Sequence, residues 1–269
     1  MSIPIALTIA GSDCSGGAGI QADLKSFAAR GVYGASVITA LTAQNTQGVT
    51  GVHDVPPAFI TAQIDAVFSD LDVRAVKIGM VSRREAIEAI VAGLTRWAPA
   101  VVVLDPVMLA TSGDHLLADD AVEALRTQLV PRAKIITPNL PEAAALLGEE
   151  IATSVGEIEG QGRRLLALGC EAVLIKGGHG HGPSSTDYLI RAAGALALPA
   201  PRIATKNTHG TGCSLSSAIA AELAKGFDLD TAVRTAKTWV SGAIAAADQL
   251  AVGHGHGPIH HFHGLRPTD

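Results

Sequence analysis

Residues Ser214 to Lys225 form a run of mostly small and aliphatic residues. Such a run predicts a helix buried on nearly every side, which is stable only inside a layered fold. Directly before it stands Asn207-Thr208-His209-Gly210-Thr211-Gly212-Cys213, so the glycines fall at the helix start. Bare N–H groups of a first helical turn, at the positive end of the macrodipole, make an anion site without a cationic side chain. Cys213 sits inside that positive end, which predicts a thiol whose ionised form is favoured and which can serve as an acid–base group or nucleophile. An ordinary glycine loop capping a core helix, with an inert buried cysteine, is the competing reading.

A buried helix needs a surrounding core, and here the core must be aliphatic, because hydrophobic residues make up 48% of the 269-residue chain and aromatics only 3%. That composition suits helices packed closely on a parallel sheet, whose strands read as short runs of Val, Ile and Leu. One α/β domain spanning residues 1–269 is expected. A net charge of −5 supplies no basic field for nucleic acid and no attraction to an anionic membrane surface. A small molecule is therefore the expected partner. Cys14, Cys170 and Cys213 share no metal-ligand spacing, and the first residues lack a positively charged leader, so a reducing cytoplasm is the expected location. No apolar run approaches the length needed to span a bilayer.

Along the chain, aliphatic runs alternate with helical spacing. Strands are expected at 5–10, 33–41, 75–78, 100–104, 134–136 and 172–175, with an extended piece at 49–55. Helices are expected at 20–29, 57–68, 82–97, 119–129, 156–168, 212–225 and 229–247, and a hairpin at the sheet edge within 186–203. Repeated strand–turn–helix order implies a mainly parallel sheet with helices on both faces. The glycines after the first strand do not complete a dinucleotide fingerprint, since Ala22 stands at the third required position and the stretch around Thr39 to Thr46 lacks the acidic residue. There is no P-loop motif. The segment from Gly253 to Gly264, with His254, His256, His260, His261 and His263, is expected to be a surface tail, because its spacing fits no regular metal-ligand set.

The residues just past the strand ends are more specific: Asp13, Gln44, Met80, Asp105, Asn139 with Glu142, Lys176, and the turn before Cys213. In a parallel sheet these positions share one edge, so distant residues converge on one crevice. Asp105 and Glu142 are oxygen donors suited to Mg²⁺ and are expected to face that crevice. Lys176 can neutralise phosphate, and the turn from Gly210 to Cys213 can hold a migrating phosphoryl group. Asn139 with Glu142 three positions on is also the pattern of a helix cap.

Five segments carry a resemblance: Gly11-Ser12-Asp13 with Ser15 to Lys25, Thr39 to Thr46, Asp105-Pro106-Val107-Met108, Thr137 to Glu142, and His209 to Cys213. Together with Gly255 to Phe262 they make the chain resemble the hydroxymethylpyrimidine/phosphomethylpyrimidine kinases of thiamine biosynthesis, in the ribokinase-like superfamily. The resemblance implies a three-layer α/β fold, a homodimer, and ATP with Mg²⁺. It implies two successive phosphorylations of 4-amino-5-hydroxymethyl-2-methylpyrimidine, to the monophosphate and then the diphosphate. By the same resemblance Gly11, Asp23, Gln44, Met80 and Val107 form the substrate pocket. Lys176, Asn139, Thr211 and Gly212 hold the nucleotide, Asp105 and Glu142 attend the metal, and Gly210, Thr211, Gly212, Lys176 and Cys213 carry the chemistry. Cys213 stands where most sugar kinases of the superfamily have an aspartate base, and Cys14 replaces a serine common in the family loop. A pyridoxal kinase on the same scaffold is the alternative within the enzymes. A ligand-binding sensor that has lost catalysis is the alternative outside them, against which the intact set of Asp105, Glu142, Lys176 and Cys213 argues.

Overall fold

The computed structural model describes residues 2–108, 119–179 and 182–265. Nine strands form one sheet in the order β3-β2-β1-β4-β5-β6-β7-β8-β9. Its central strands are β1 (Ile5–Asp13), β2 (Tyr33–Asn45), β4 (Val73–Ile78), β5 (Val102–Leu104), β6 (Ile135–Ile136) and β7 (Ala172–Ile175), all parallel to their neighbours in this group. The edges are antiparallel: β3 (Gly48–Asp54) pairs with β2, and β8 (Asp187–Arg191) and β9 (Gly194–Leu198) continue from β7. The expected edge hairpin is therefore present. β2 runs four residues beyond the aliphatic stretch, because β3 supplies pairing partners for the polar Thr42 to Asn45.

Strand residues alternate between two buried layers, as a sheet covered on both faces requires. Leu7, Ile9, Val76, Ile78, Val102 and Leu104 pack under α2 (Pro57–Phe68), α3 (Arg84–Trp97), α4 (Asp119–Ala124), α5 (Leu140–Leu147) and α6 (Val155–Leu166). Ala6, Ala75, Val103, Ala172 and Leu174 face α1 (Gly19–Ala29), α7 (Thr211–Ala224) and α8 (Leu229–Ala245). This is the three-layer fold expected from the sequence. The helix expected over 119–129 is α4 followed by a wider turn at Leu125–Leu129. α7 lies centrally between sheet and α8, and every residue from Ser214 to Ala224 is buried, which explains its side chains of small volume. Among the described residues no helix is long and apolar enough to cross a membrane.

The histidine-rich segment is not a surface tail. Pro258 and Ile259 are buried, and the backbone pairs with the loop before α7, Gly257 accepting from His209 N at 3.0 Å. His256 N donates to Thr46 O at 2.8 Å, and His261 is buried against Ser214, with Nε2 2.9 Å from its Oγ. Two apolar anchors among the histidines thus pull the segment across the end of β2 and onto α7. Burial also drives the His261 pKa down to about 4. Among the described residues no group of three or more His, Cys, Asp or Glu side chains is arranged to hold a metal ion.

Candidate active site

Two glycine turns meet at the carboxyl end of the sheet. The first comes after β1 and folds back, so that Gly19, at φ +56°, bridges to Ser12. The second is Gly210, the N-cap of α7, at φ +78°. A Cβ on Gly210 would lie 1.9 Å from Gly17 O, so glycine is required both by the left-handed backbone and by this contact. His209 covers the first turn, its ring 2.3 Å from where a Cβ on Gly17 would stand. The two glycine turns are therefore one packed unit, and in the first the N–H groups of Gly17 and Ala18 donate to Asp13 Oδ2 at 3.1 and 2.8 Å.

On one side of the α7 start lies a buried charge cluster. Lys176 Nζ donates to Asp105 Oδ1 at 2.8 Å and stands 3.7 Å from Glu142 Oε2. Asp105 also accepts from Thr137 Oγ1 at 3.0 Å and Ser216 Oγ at 3.3 Å, and is only 1% exposed. The expectation that it simply faces an open crevice is corrected: its carboxylate is built into the layer between β5 and α7. Burial works against its charge, but Lys176 and Lys77 prevail and hold its pKa below the ordinary value. Glu142 goes the other way, raised by burial and by Asp105 despite Lys176. Burial opposes the Lys176 charge too, yet Asp105 and Glu142 raise its pKa. A Cβ on Gly212 would lie 3.2 Å from Lys176 Nζ, so this cation sits against the bare first turn of α7.

Asn139 and Glu142 form a reciprocal cap on α5: Asn139 N donates to Glu142 Oε2 at 2.7 Å and Glu142 N to Asn139 Oδ1 at 2.8 Å. Both side chains thus have a structural duty, and only Glu142 also reaches Lys176. Asn139 is brought beside Lys176 by a backbone bridge rather than by its amide.

Behind Cys213 lies a second cluster that sequence reasoning missed. Lys77 on β4 is completely buried, and its Nζ donates to Asp23 Oδ1 at 2.9 Å and Oδ2 at 2.8 Å. Asp23 also accepts from Thr8 Oγ1 at 2.6 Å and Ser217 Oγ at 2.7 Å. With every lone-pair direction used and no exposed surface, Asp23 offers nothing to a ligand, which corrects its placement in the substrate pocket. Cys213 and Ser217 are one helical turn apart on α7, so the thiol faces the same cluster. The predicted easy ionisation of Cys213 is also corrected. Burial pushes its pKa up to about 11, and Asp23 and Asp105 add to that, against the opposing pull of Lys77 and the Gly19 N–H.

The remaining predicted residues lie at the carboxyl ends of β1, β2, β4 and β5. Gly11 is bare so that Met80 Sδ can lie 2.9 Å from where its Cβ would be. The Met80 backbone is held by Thr39 Oγ1 at 2.9 Å, and Val107 N donates to Asp105 O at 2.8 Å. Gln44 is half-buried at the end of β2, with Cys14 Sγ 3.1 Å from its carbonyl and 3.4 Å from its N–H. The Gln44 amide nitrogen is 3.2 Å from His209 Nε2, which is itself 2.9 Å from Asp13 Oδ2. Burial opposes ionisation of Asp13, but His209, Ser15 and the Ala18 N–H hold its pKa at about 2. The structure therefore gathers Gly11, Gln44, Met80, Asp105, Val107, Glu142, Lys176 and the Gly210–Cys213 turn at one sheet edge, and sets Asp23 beneath it.

Known proteins share both the sequence and the fold. The profile of a family described as phosphomethylpyrimidine kinase matches residues 13–260. A hydroxymethylpyrimidine/phosphomethylpyrimidine kinase of Rhizobium meliloti is 60% identical over 259 residues, covering 96% of this chain and 97% of its own. Among solved structures, a Bacillus subtilis pyridoxal kinase in complex with ADP superposes with a TM-score of 0.91 at 36% identity, covering 98% of this chain and 100% of that one. A phosphomethylpyrimidine kinase of Clostridium difficile is 46% identical with a TM-score of 0.80, covering 90% and 100%.

Proposed function

The chain belongs to the phosphomethylpyrimidine kinase family, and from that membership and the site geometry we propose that it phosphorylates 4-amino-5-hydroxymethyl-2-methylpyrimidine and then the resulting monophosphate, with ATP as donor. It is a kinase of thiamine biosynthesis. The observation that carries the reading is the adjacency of a buried cation, Lys176, to the bare N–H groups that open α7. Phosphoryl transfer asks mainly for positioning and for neutralisation of equatorial oxygen charge, which these two features supply from fixed positions. Gly212 opens the first turn towards Lys176, Thr211 ties that turn to Thr208 through its N–H at 3.2 Å, Asn139 sets the α5 start beside Lys176, and Gly210 allows the turn. The ADP complex of the Bacillus subtilis relative supports an adenine nucleotide as ligand.

Glu142 fits Mg²⁺, which is commonly bound through one or two carboxylates with water and phosphate completing its octahedron, whereas Asp105, engaged by Lys176, Thr137 and Ser216, would act on it through Lys176. Bound there, Mg²⁺ would neutralise charge on the donor phosphates. Their own roles come from the geometry. Asp105 holds Lys176 in register, and Glu142 stands 3.7 Å from the same ammonium group.

In this reading the hydroxymethyl group lies against Cys213 in the first turn of α7, with the ring against Gly11, Met80 and Val107 and its polar edge on Gln44. Cys213 accepts the hydroxyl proton from a resting state in which its thiol is protonated, so proton acceptance requires prior ionisation. The glycine-rich turn before α1 already points the N–H groups of Ser15, Gly17 and Ala18 at the Asp13 carboxylate, so the second acceptor, a phosphate monoester, is left to Lys176 and the α7 start. The chain is read as one kinase domain and as a homodimer, which sedimentation would test. The functional test is product analysis with ATP, Mg²⁺ and the pyrimidine alcohol, resolving monophosphate from diphosphate. A monophosphate-only product, or a strong preference for pyridoxal, overturns the two-step reading.

A further inference from the structure

Donor and acceptor counting around Gln44 points to a residue with no task yet in the site. As placed, the Gln44 amide nitrogen approaches His209 Nε2 at 3.2 Å, while the same Nε2 lies 2.9 Å from Asp13 Oδ2. Asp13 is ionised far below neutral pH, so it only accepts. Nε2 must then carry a proton for Asp13, and it cannot also accept one from Gln44. A second conflict appears at the other end of the amide. Thr42 Oγ1 is 2.9 Å from Ser12 O and 2.9 Å from Gln44 Oε1, two acceptors for its single proton.

Exchanging the amide oxygen and nitrogen of Gln44 removes the donor-on-donor contact at His209 and the double demand on Thr42, leaving one three-centre hydrogen bond from His209, and amide orientation is assigned from such networks. His209 Nε2–H then points to Asp13 Oδ2 and Gln44 Oε1. The Gln44 Nε2–H donates to Thr42 Oγ1, whose proton goes to Ser12 O. Each outer side of the amide is now fixed, and its front edge keeps one lone pair on oxygen and one N–H. A 4-aminopyrimidine presents the complement, an exocyclic N–H donor beside the ring N3 acceptor.

We propose that His209, locked by Asp13, is the positioning residue that fixes which way the Gln44 amide faces and thereby sets the donor–acceptor order that selects an aminopyrimidine. The inference rests on the pyrimidine being the substrate. The oxygen stands on the His209 side and receives the amino group, and the nitrogen on the Thr42 side donates to N3. A 4-oxo-pyrimidine of the same shape reverses this order, with an acceptor where the amino group was and a donor at N3. Turning the amide to suit it would place a donor against His209 Nε2–H. The arrangement ties β1, β2 and the loop before α7 into one recognition element, since Asp13, Gln44 and His209 come from these three places.

The test compares binding of the 4-amino and 4-oxo pyrimidine alcohols by calorimetry without nucleotide, in the parent protein and in His209→Leu. The parent should prefer the amino form, and His209→Leu, whose Gln44 amide is free to turn, should narrow that preference by about tenfold or more. A preference unchanged in a folded His209→Leu overturns the proposal, whereas loss of affinity for both forms in equal proportion assigns His209 to packing alone and overturns it too. A second measurement needs no variant and no ligand. The ¹⁵N shift of His209 Nε2 at neutral pH should be that of a protonated nitrogen, and a bare nitrogen overturns the network. If the parent binds neither pyrimidine, the substrate assignment fails and the inferred selection with it, and the ¹⁵N shift still decides the hydrogen-bond network.

Discussion

Cys213 offers the sharpest test of the proposed chemistry. With its pKa pushed up to about 11 by burial, roughly one thiol in 10⁴ is ionised at pH 7. If only the thiolate takes the hydroxyl proton, the transfer step rises with that fraction, about tenfold per pH unit while pH stays well below the thiol pKa. Single-turnover phosphorylation of the pyrimidine alcohol, measured from pH 6.5 to 9 with saturating ATP and Mg²⁺, should therefore climb by about two and a half decades. In Cys213→Asp the carboxylate is already charged over that range, and the climb should disappear even if the rate at pH 7 is lower. Cys213→Ala should lose rate with nucleotide binding nearly unchanged. A flat profile in the parent enzyme, or near-normal transfer in Cys213→Ala, refutes the base assignment. Transfer would then be dissociative enough to need no base, and the cysteine would only shape the pocket.

The two buried clusters and the turn contact carry further expectations. Lys176→Met and Asp105→Asn should each lower kcat by about tenfold to a thousandfold. They should also lower the melting temperature, because Asp105 is 1% exposed with three protein donors; calorimetry checks the second effect. Lys77→Met should cost about 3–5 kcal/mol by stranding Asp23, whereas Lys77→Met with Asp23→Leu should recover most of that in denaturant unfolding. Asp13 has a folded pKa of about 2, below its ordinary 3.8, so its charge contributes stability that is present above pH 4 and lost as pH falls towards 2. Unfolding free energies should therefore show Asp13→Asn about 2 kcal/mol below the parent at neutral pH, with the gap closing in acid. Gly17→Ala should push His209 out of place, given the 2.3 Å approach, and raise KM for both phosphorylations rather than slow the second alone.

How much of this was legible in the sequence depends on which force decided each feature. Strands and helices tracked the hydrophobic pattern closely because both faces of the sheet are covered, so a strand had to read as an aliphatic run. The strand-end residues could be assembled into one site by topology alone, since parallel order puts every carboxyl end on one edge. Cys213 stands at the α7 start as expected, while the surroundings that raise its pKa were not legible, because the helix dipole is visible in a sequence and the enclosure of a half-buried side chain is not. The histidine-rich segment was misjudged for a related reason: its composition is polar, but Pro258 and Ile259 fix where it goes.

Lys77 is the instructive omission, because a signal for it existed. It sits inside Ala75-Val76-Lys77-Ile78, a strand buried on both faces, and by alternation shares the face of Ala75, towards α1 and α7. A lysine there must find an acid in the helical layer, and the only acidic residue in α1 is Asp23, joined from α7 by the hydroxyl of Ser217. Stability alone gives little reason for the arrangement, since a buried ion pair can often be replaced by apolar residues at no loss. What apolar residues could not supply is a fixed positive charge behind Cys213, where Lys77 is the main electrostatic influence favouring the thiolate. The cluster that anchors α1 and α7 to the sheet is thereby also the electrostatic floor of the site. Asp23 itself opposes that thiolate, and its part is to hold Lys77 in place.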